Sequence, residues 1–103
     1  MTTLESLSAN LANVSGDMLA STVVALIEPG HEMIRSSGGE WCLDMSNVDR
    51  VSSAAVALLL DWMRTARQHD VHMTIRSVPE RLMPILQVSD LEVLFAEVMV
   101  TDA

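Results

Sequence analysis

The sequence predicts a small α/β domain in which helices pack against a mostly parallel or mixed central sheet. Three observations lead there. Strand-like and helix-like segments alternate along the chain, and the connections between them are short. The 103 residues, half of them apolar, suffice for one core, so a single domain is expected over residues 1–103.

Each element has a local reason. Leu7 to Val14 reads as a weak strand that ends at the turn signal Ser15-Gly16-Asp17. Ser21 or Thr22 can cap a helix bearing Val23, Val24, Leu26, Ile27, Met33 and Ile34, which Pro29-Gly30 either kinks or splits. Gly38-Gly39 ends that helix, and Glu40 to Met45 reads as a strand with one well-buried face. A turn is expected around Ser46-Asn47. Val48 to Val51 then leads into the most apolar helix, whose Val56, Leu59, Leu60 and Met63 recur at the spacing of a core-facing stripe. Ala55, Leu58 and Trp62 form a neighbouring apolar face, with Asp61, Arg64, Thr65 and Gln68 facing water. Val71 to Arg76 alternates as a half-buried strand, with Val71, Met73 and Ile75 inward. Ser77-Val78-Pro79-Glu80 matches a capping box for a third helix carrying Leu82, Ile85 and Leu86, with a kink at Pro84. Leu91 to Val100 is a final apolar segment compatible with either type.

Composition excludes several functions. The chain carries a net charge of −8 and no lysine, so a polyanion such as nucleic acid would be repelled, and no polybasic patch is present to hold anionic lipid. The longest apolar run, Ala54 to Leu60, is far below the roughly 20 residues that span a bilayer, which argues against direct membrane insertion. Cys42 is alone, so no internal disulfide forms, and together with the absence of a leader-like start this points to a reducing, cytoplasmic compartment. His31, His69 and His72 sit on separate elements without metal-ligand spacing, so no metal is expected. Cys42 reads as a small buried hydrophobe in its strand rather than a reactive thiolate. Ser36-Ser37-Gly38-Gly39 precedes a strand and is a turn, not a phosphate loop. No catalytic constellation or cofactor motif is found, and the chain reads as a non-enzyme.

What remains is Ser52-Ser53-Ala54-Ala55 at the start of the apolar helix. In the simplest reading a serine there caps the helix. A functional reading adds that small side chains let another surface approach closely. It adds too that a phosphate at this end would be stabilised by the helix while adding about −1.5 to −2 charges.

Leu43-Asp44-Met45-Ser46, Ser53 and Leu58-Leu59-Leu60, followed by the strand Val71 to Ile75, resemble the middle of STAS domains. That family includes bacterial anti-sigma factor antagonists, and the likeness is strongest to its MlaB-type members. Val14-Ser15-Gly16-Asp17 resembles the family's Ser-Gly-Glu strand end, and the likeness runs in order over about residues 11–95. The sequence departs from the family at Ser52, where an acidic residue is usual, and at Ala54 and Ala55, where glycines are usual, so the phosphorylation signature around Ser53 is eroded. The resemblance implies a STAS-like fold. It also implies an accessory subunit that binds and stabilises or regulates the MlaF-like ATPase of an inner-membrane ABC system moving phospholipid and maintaining outer-membrane lipid asymmetry. Such a subunit would meet the permease only through the ATPase and lie peripheral to the inner membrane. The contact would use Ser52, Ser53, Ala54, Val56 and Ala57, with Leu58 and Trp62 as flanking anchors. The alternative is a free-standing anti-sigma factor antagonist switched by phosphorylation at Ser53.

Overall fold

The structure, a computed structural model, describes residues 1–100. Two strands, β1 (Thr3–Ser8) and β2 (Leu11–Met18), are followed by the short helix α1 (Ala20–Val23), a 3₁₀ turn (Val24–Leu26) and α2 (Ile27–Arg35). Then come β3 (Glu40–Val51), α3 (Ser53–Gln68), β4 (His72–Arg76), α4 (Leu82–Val88), α5 (Glu92–Ala96) and β5 (Met99–Val100). The described strands form one five-stranded sheet in the order β1-β2-β3-β4-β5. β1 is antiparallel to β2 and the remaining pairs are parallel, so the sheet is mixed.

Because the parallel strands follow one another in a single direction, right-handed crossovers place their helices on one face. The side chains alternate accordingly. Ala12, Val14, Trp41, Leu43, Met45, Met73 and Ile75 are buried, whereas Leu11, Asn13, Cys42, Asp44, Thr74 and Arg76 are only half covered. Cys42 therefore departs from expectation. Its neighbours Trp41 and Leu43 point into the core, and Cys42 lies half-buried on the opposite face with Glu40, His72 and Thr74 in a shallow cavity.

The N-terminal expectation is corrected. Leu7 to Val14 is the middle of a hairpin that turns at Ala9-Asn10, and Ser15-Gly16-Asp17 lies within β2. Turn-like composition misleads here because Gly16 serves a different need. Its φ is +93°, and a Cβ there would lie 2.6 Å from the Met1 carbonyl oxygen. Ser46-Asn47 is likewise no turn but part of the 12-residue β3. Between Asn13↔Asp44 and Ser15↔Asn47, and again between Gly16↔Val48 and Met18↔Val51, β3 runs one residue longer than β2. Such bulges bend a strand and accommodate polar residues without ending it.

Pro29 and Pro84 have one explanation. The first helix is split by the 3₁₀ turn, and Pro29 is the third residue of α2, while Pro84 is the third residue of α4. In a first turn the missing N–H would have no partner within the helix anyway, so neither proline needs to kink its helix. Ser77 is not the N-cap of α4. Ser77 has φ +56°, not the extended backbone of an N-cap, and α4 starts at Leu82 after a turn closed by Leu82 N–H to the Pro79 carbonyl at 3.0 Å. The open final segment resolves into α5 and β5.

Helix α3 is central, packing against α1, α2, α4 and β4. Both of its apolar stripes are therefore covered. Ala55, Val56, Leu58, Leu59 and Trp62 are buried, while Leu60 and Met63 are half-buried. Thr65, expected to face water, is buried too, and its hydroxyl donates to the Asp61 carbonyl at 3.1 Å. Trp62 meets Trp41 edge to face, with centroids 5.6 Å apart and planes at 89°.

Candidate functional site: the start of helix α3

Ser52 is the N-cap of α3. Its backbone is extended, with φ −143° and ψ −179°, and its Oγ accepts the Ala54 N–H at 3.2 Å while donating to the Met18 carbonyl at 3.3 Å. The hydroxyl is thus used on both sides, and the cap ties the helix to the end of β2. Ser53, the first helical residue, is exposed, as is Ala57, and Ala54 is half-buried.

The larger side chains assigned to the contact fare differently. Trp62 is fully buried, and its indole N–H donates to the Ile27 carbonyl at 3.2 Å. It is a core residue and presents no surface to serve as an anchor. Val56 is only 5% exposed and belongs to the core cluster, so it offers no surface either. Leu58 is 3% exposed, yet it lines a groove of about 480 Å³ together with Ala20, Val23, Ile27, Ala54, Ala57, Asp61 and Arg64. The apolar groove runs between α3 and the α1–α2 segment. Nearby in sequence, on the 3₁₀ turn, Val24 is 68% exposed.

Sequence reasoning missed two charged clusters beside this surface. Asp61, on the groove, receives His31 Nε2 from α2 at 2.5 Å on Oδ2 and Arg64 at 2.9 Å on Oδ1. Burial raises its pKa, but these two partners outweigh that and hold the carboxyl below its ordinary value. Asp17, at the end of β2, accepts the Arg50 amide at 3.1 Å on Oδ1 and the guanidinium at 2.9 and 3.2 Å on Oδ2. The Arg50 side chain, followed by its amide, draws this carboxyl below its ordinary value too. The His31–Asp61 and Asp17–Arg50 pairs join residues 30 and 33 apart, a separation that carries no periodic signal.

Among the described residues, no group of three or more His, Cys, Asp or Glu side chains could hold a metal ion, and no helix is long and apolar enough to cross a membrane. The surface at α3 thus offers close-approach residues, an apolar groove and satisfied charges. That arrangement suits binding another macromolecule.

No curated protein matches the chain. Among solved structures, similarity extends to the phosphorylated form of the Bacillus cell fate determinant SpoIIAA, with 14% identity, 100% of this chain and 92% of that chain covered, and a TM-score of 0.72. An anti-sigma factor antagonist from Mycobacterium paratuberculosis matches at 17% identity over 92% of this chain and 81% of that one, with a TM-score of 0.72. A sulfate transporter family protein from Wolinella succinogenes matches at 14% identity over 97% and 81%, with a TM-score of 0.71. These likenesses establish the fold. The family model described as "Mlab, STAS domain" matches residues 3–101, and the chain accordingly belongs to the MlaB-type STAS domain family.

Proposed function

We propose that the chain is a non-catalytic accessory subunit that binds the MlaF-like ATPase of an inner-membrane ABC phospholipid transporter, and through it the permease. In this reading it stabilises or regulates the ATPase from the cytoplasmic side, without inserting into the membrane. The observation that carries the reading is the start of α3, where Ser53 is exposed and the small residues Ala54 and Ala57 line an apolar groove together with Leu58. Small residues lower the steric barrier to a close contact, and the groove offers apolar area to bury. The net charge of −8 favours a basic face on the partner. Binding would shift the ATPase toward whichever conformation it contacts better.

A specific observation also favours a second reading, an anti-sigma factor antagonist switched at Ser53. Ser53 is exposed as the first residue of a 16-residue helix, where a phosphate would meet the positive end of the helix dipole. One experiment separates the two. The tagged chain is purified from mild-detergent membranes of its own host, and copurifying proteins are identified by mass spectrometry. Recovery of an ABC ATPase with its permease is the expected result. Recovery of a kinase-like anti-sigma factor instead would replace the first reading with the second, and recovery of neither would refute both.

A further inference from the structure

Asp17 lies where three elements meet. Its backbone carbonyl accepts the Thr2 hydroxyl at 2.5 Å and the Thr22 hydroxyl at 2.7 Å. Thr22 Oγ1 in turn accepts the Leu19 N–H at 2.9 Å, at the opening of α1. The Asp17 carboxylate takes both the amide and the guanidinium of Arg50, two residues ahead of the Ser52 cap. One residue further along β2, the Met18 carbonyl accepts the Ser52 hydroxyl. The end of β2 therefore grips the start of α1 and the approach to α3 at once. Those helices supply Ala20 and Val23, and Ala54 and Ala57, to the groove. Backbone pairing alone specifies this junction weakly, because the β2–β3 register shifts between Gly16 and Met18.

We propose that Asp17 is a positioning residue of the partner surface, which holds Arg50 so that the starts of α1 and α3 keep the spacing the partner reads. This inference rests on the proposed role of the α3 start in binding the ATPase. Asp17 itself makes no contact with the partner in this account. Its effect reaches the surface through Arg50 and the Ser52 cap.

The test uses the full chain as wild type, Asp17→Ala, Arg50→Ala and the double variant, each titrated with the ATPase subunit purified from the same host, alongside amide hydrogen exchange on the free chains. Each single variant is expected to lose affinity by about tenfold, the scale of one charge-assisted contact. The double variant should lose no more than the worse single, since both residues act through one contact. Exchange at the Ala54 and Ala55 amides should quicken. A role in global stability alone would lower the thermal midpoint without changing affinity measured well below it, and that result would overturn the proposal. So would loss of binding in Arg50→Ala with Asp17→Ala unaffected, which would make Arg50 a direct contact. If the wild type itself fails to bind the ATPase, the functional reading fails, and the exchange arm decides this one: quickened Ala54 and Ala55 exchange in Asp17→Ala upholds it and unchanged exchange overturns it. Should Asp17→Ala not fold, Asp17→Asn keeps an acceptor for the Arg50 amide and takes its place, with a smaller loss of affinity expected and an unchanged affinity again overturning the proposal.

Discussion

The indole of Trp62 lies directly over the backbone of Gly30, so close that a Cβ built on Gly30 would stand 2.2–2.4 Å from the ring atoms. A glycine inside a helix costs about 0.5–1 kcal/mol relative to alanine, and here the packing requires it. Gly30→Ala should therefore destabilise the fold despite alanine's better helix propensity. Overpacking of this kind costs typically ~1–3 kcal/mol, and a lower urea midpoint would report it. A midpoint equal to or above that of wild type would show that the ring can move aside.

Trp62 also donates to the Ile27 carbonyl and packs edge to face on Trp41. Trp62→Ala should cost about 3–5 kcal/mol, enough to unfold a domain of marginal stability. Trp62→Phe keeps most of the apolar volume and loses the N–H, so it should stay folded with a smaller loss. Near-ultraviolet circular dichroism of the Phe variant should lose the contribution of the paired indoles. A folded Trp62→Ala with full thermal stability would contradict the core assignment.

At the helix start, Ser52 and Ser53 should separate stability from binding. Ser52→Ala removes the cap and its bond to Met18, at a cost of about 1 kcal/mol in thermal or urea unfolding. Ser53→Glu places an acid in the first turn of α3, where the dipole favours it, so the fold should hold while the longer side chain, which must be desolvated in a close contact, weakens partner binding. Titration of both variants with the ATPase checks the pair. Normal binding by folded Ser53→Glu would remove Ser53 from the contact.

What the sequence revealed followed from periodicity. The alternation of elements, the buried faces of β3 and β4 and both apolar stripes of α3 were all legible, because side-chain periods of 2.0 and 3.6 are written locally. The misreadings share a cause. Ser15-Gly16-Asp17 and Ser46-Asn47 have turn chemistry, but the β2–β3 pairing uses them in bulges, and pairing is a long-range property. Ser77 has the spacing of a capping box, but its backbone is left-handed and the helix starts further on, at Leu82. For the site, the small residues at 52–57 were visible in the sequence. Val56 was legible as part of the core-facing stripe, but the complete burial of Trp62 was not, because it depends on Gly30 and Ile27 of α2 lying against the indole, and neither were the partners of Asp17 and Asp61.

Acid stability follows from the carboxylates. Asp17 is held below its ordinary pKa by Arg50, and Asp61 by His31 and Arg64 against the opposing effect of burial. Asp44 is a third case. Burial raises it, but the Ser46 amide and hydroxyl and the Arg76 guanidinium together prevail and leave it lowered. A carboxylate whose pKa is lower in the folded chain than in the unfolded one binds fewer protons when folded, so it adds stability above the unfolded value and loses it as pH falls through the folded one. The thermal midpoint should therefore show no loss from these groups between neutrality and about pH 5. It should then decline as the pH passes below the ordinary value of 3.8. Asp44→Asn should be less stable than wild type at neutral pH and lose less on acidification, because its contribution is already gone. A variant whose acid decline matches that of wild type would show that Asp44 does not take part in this linkage.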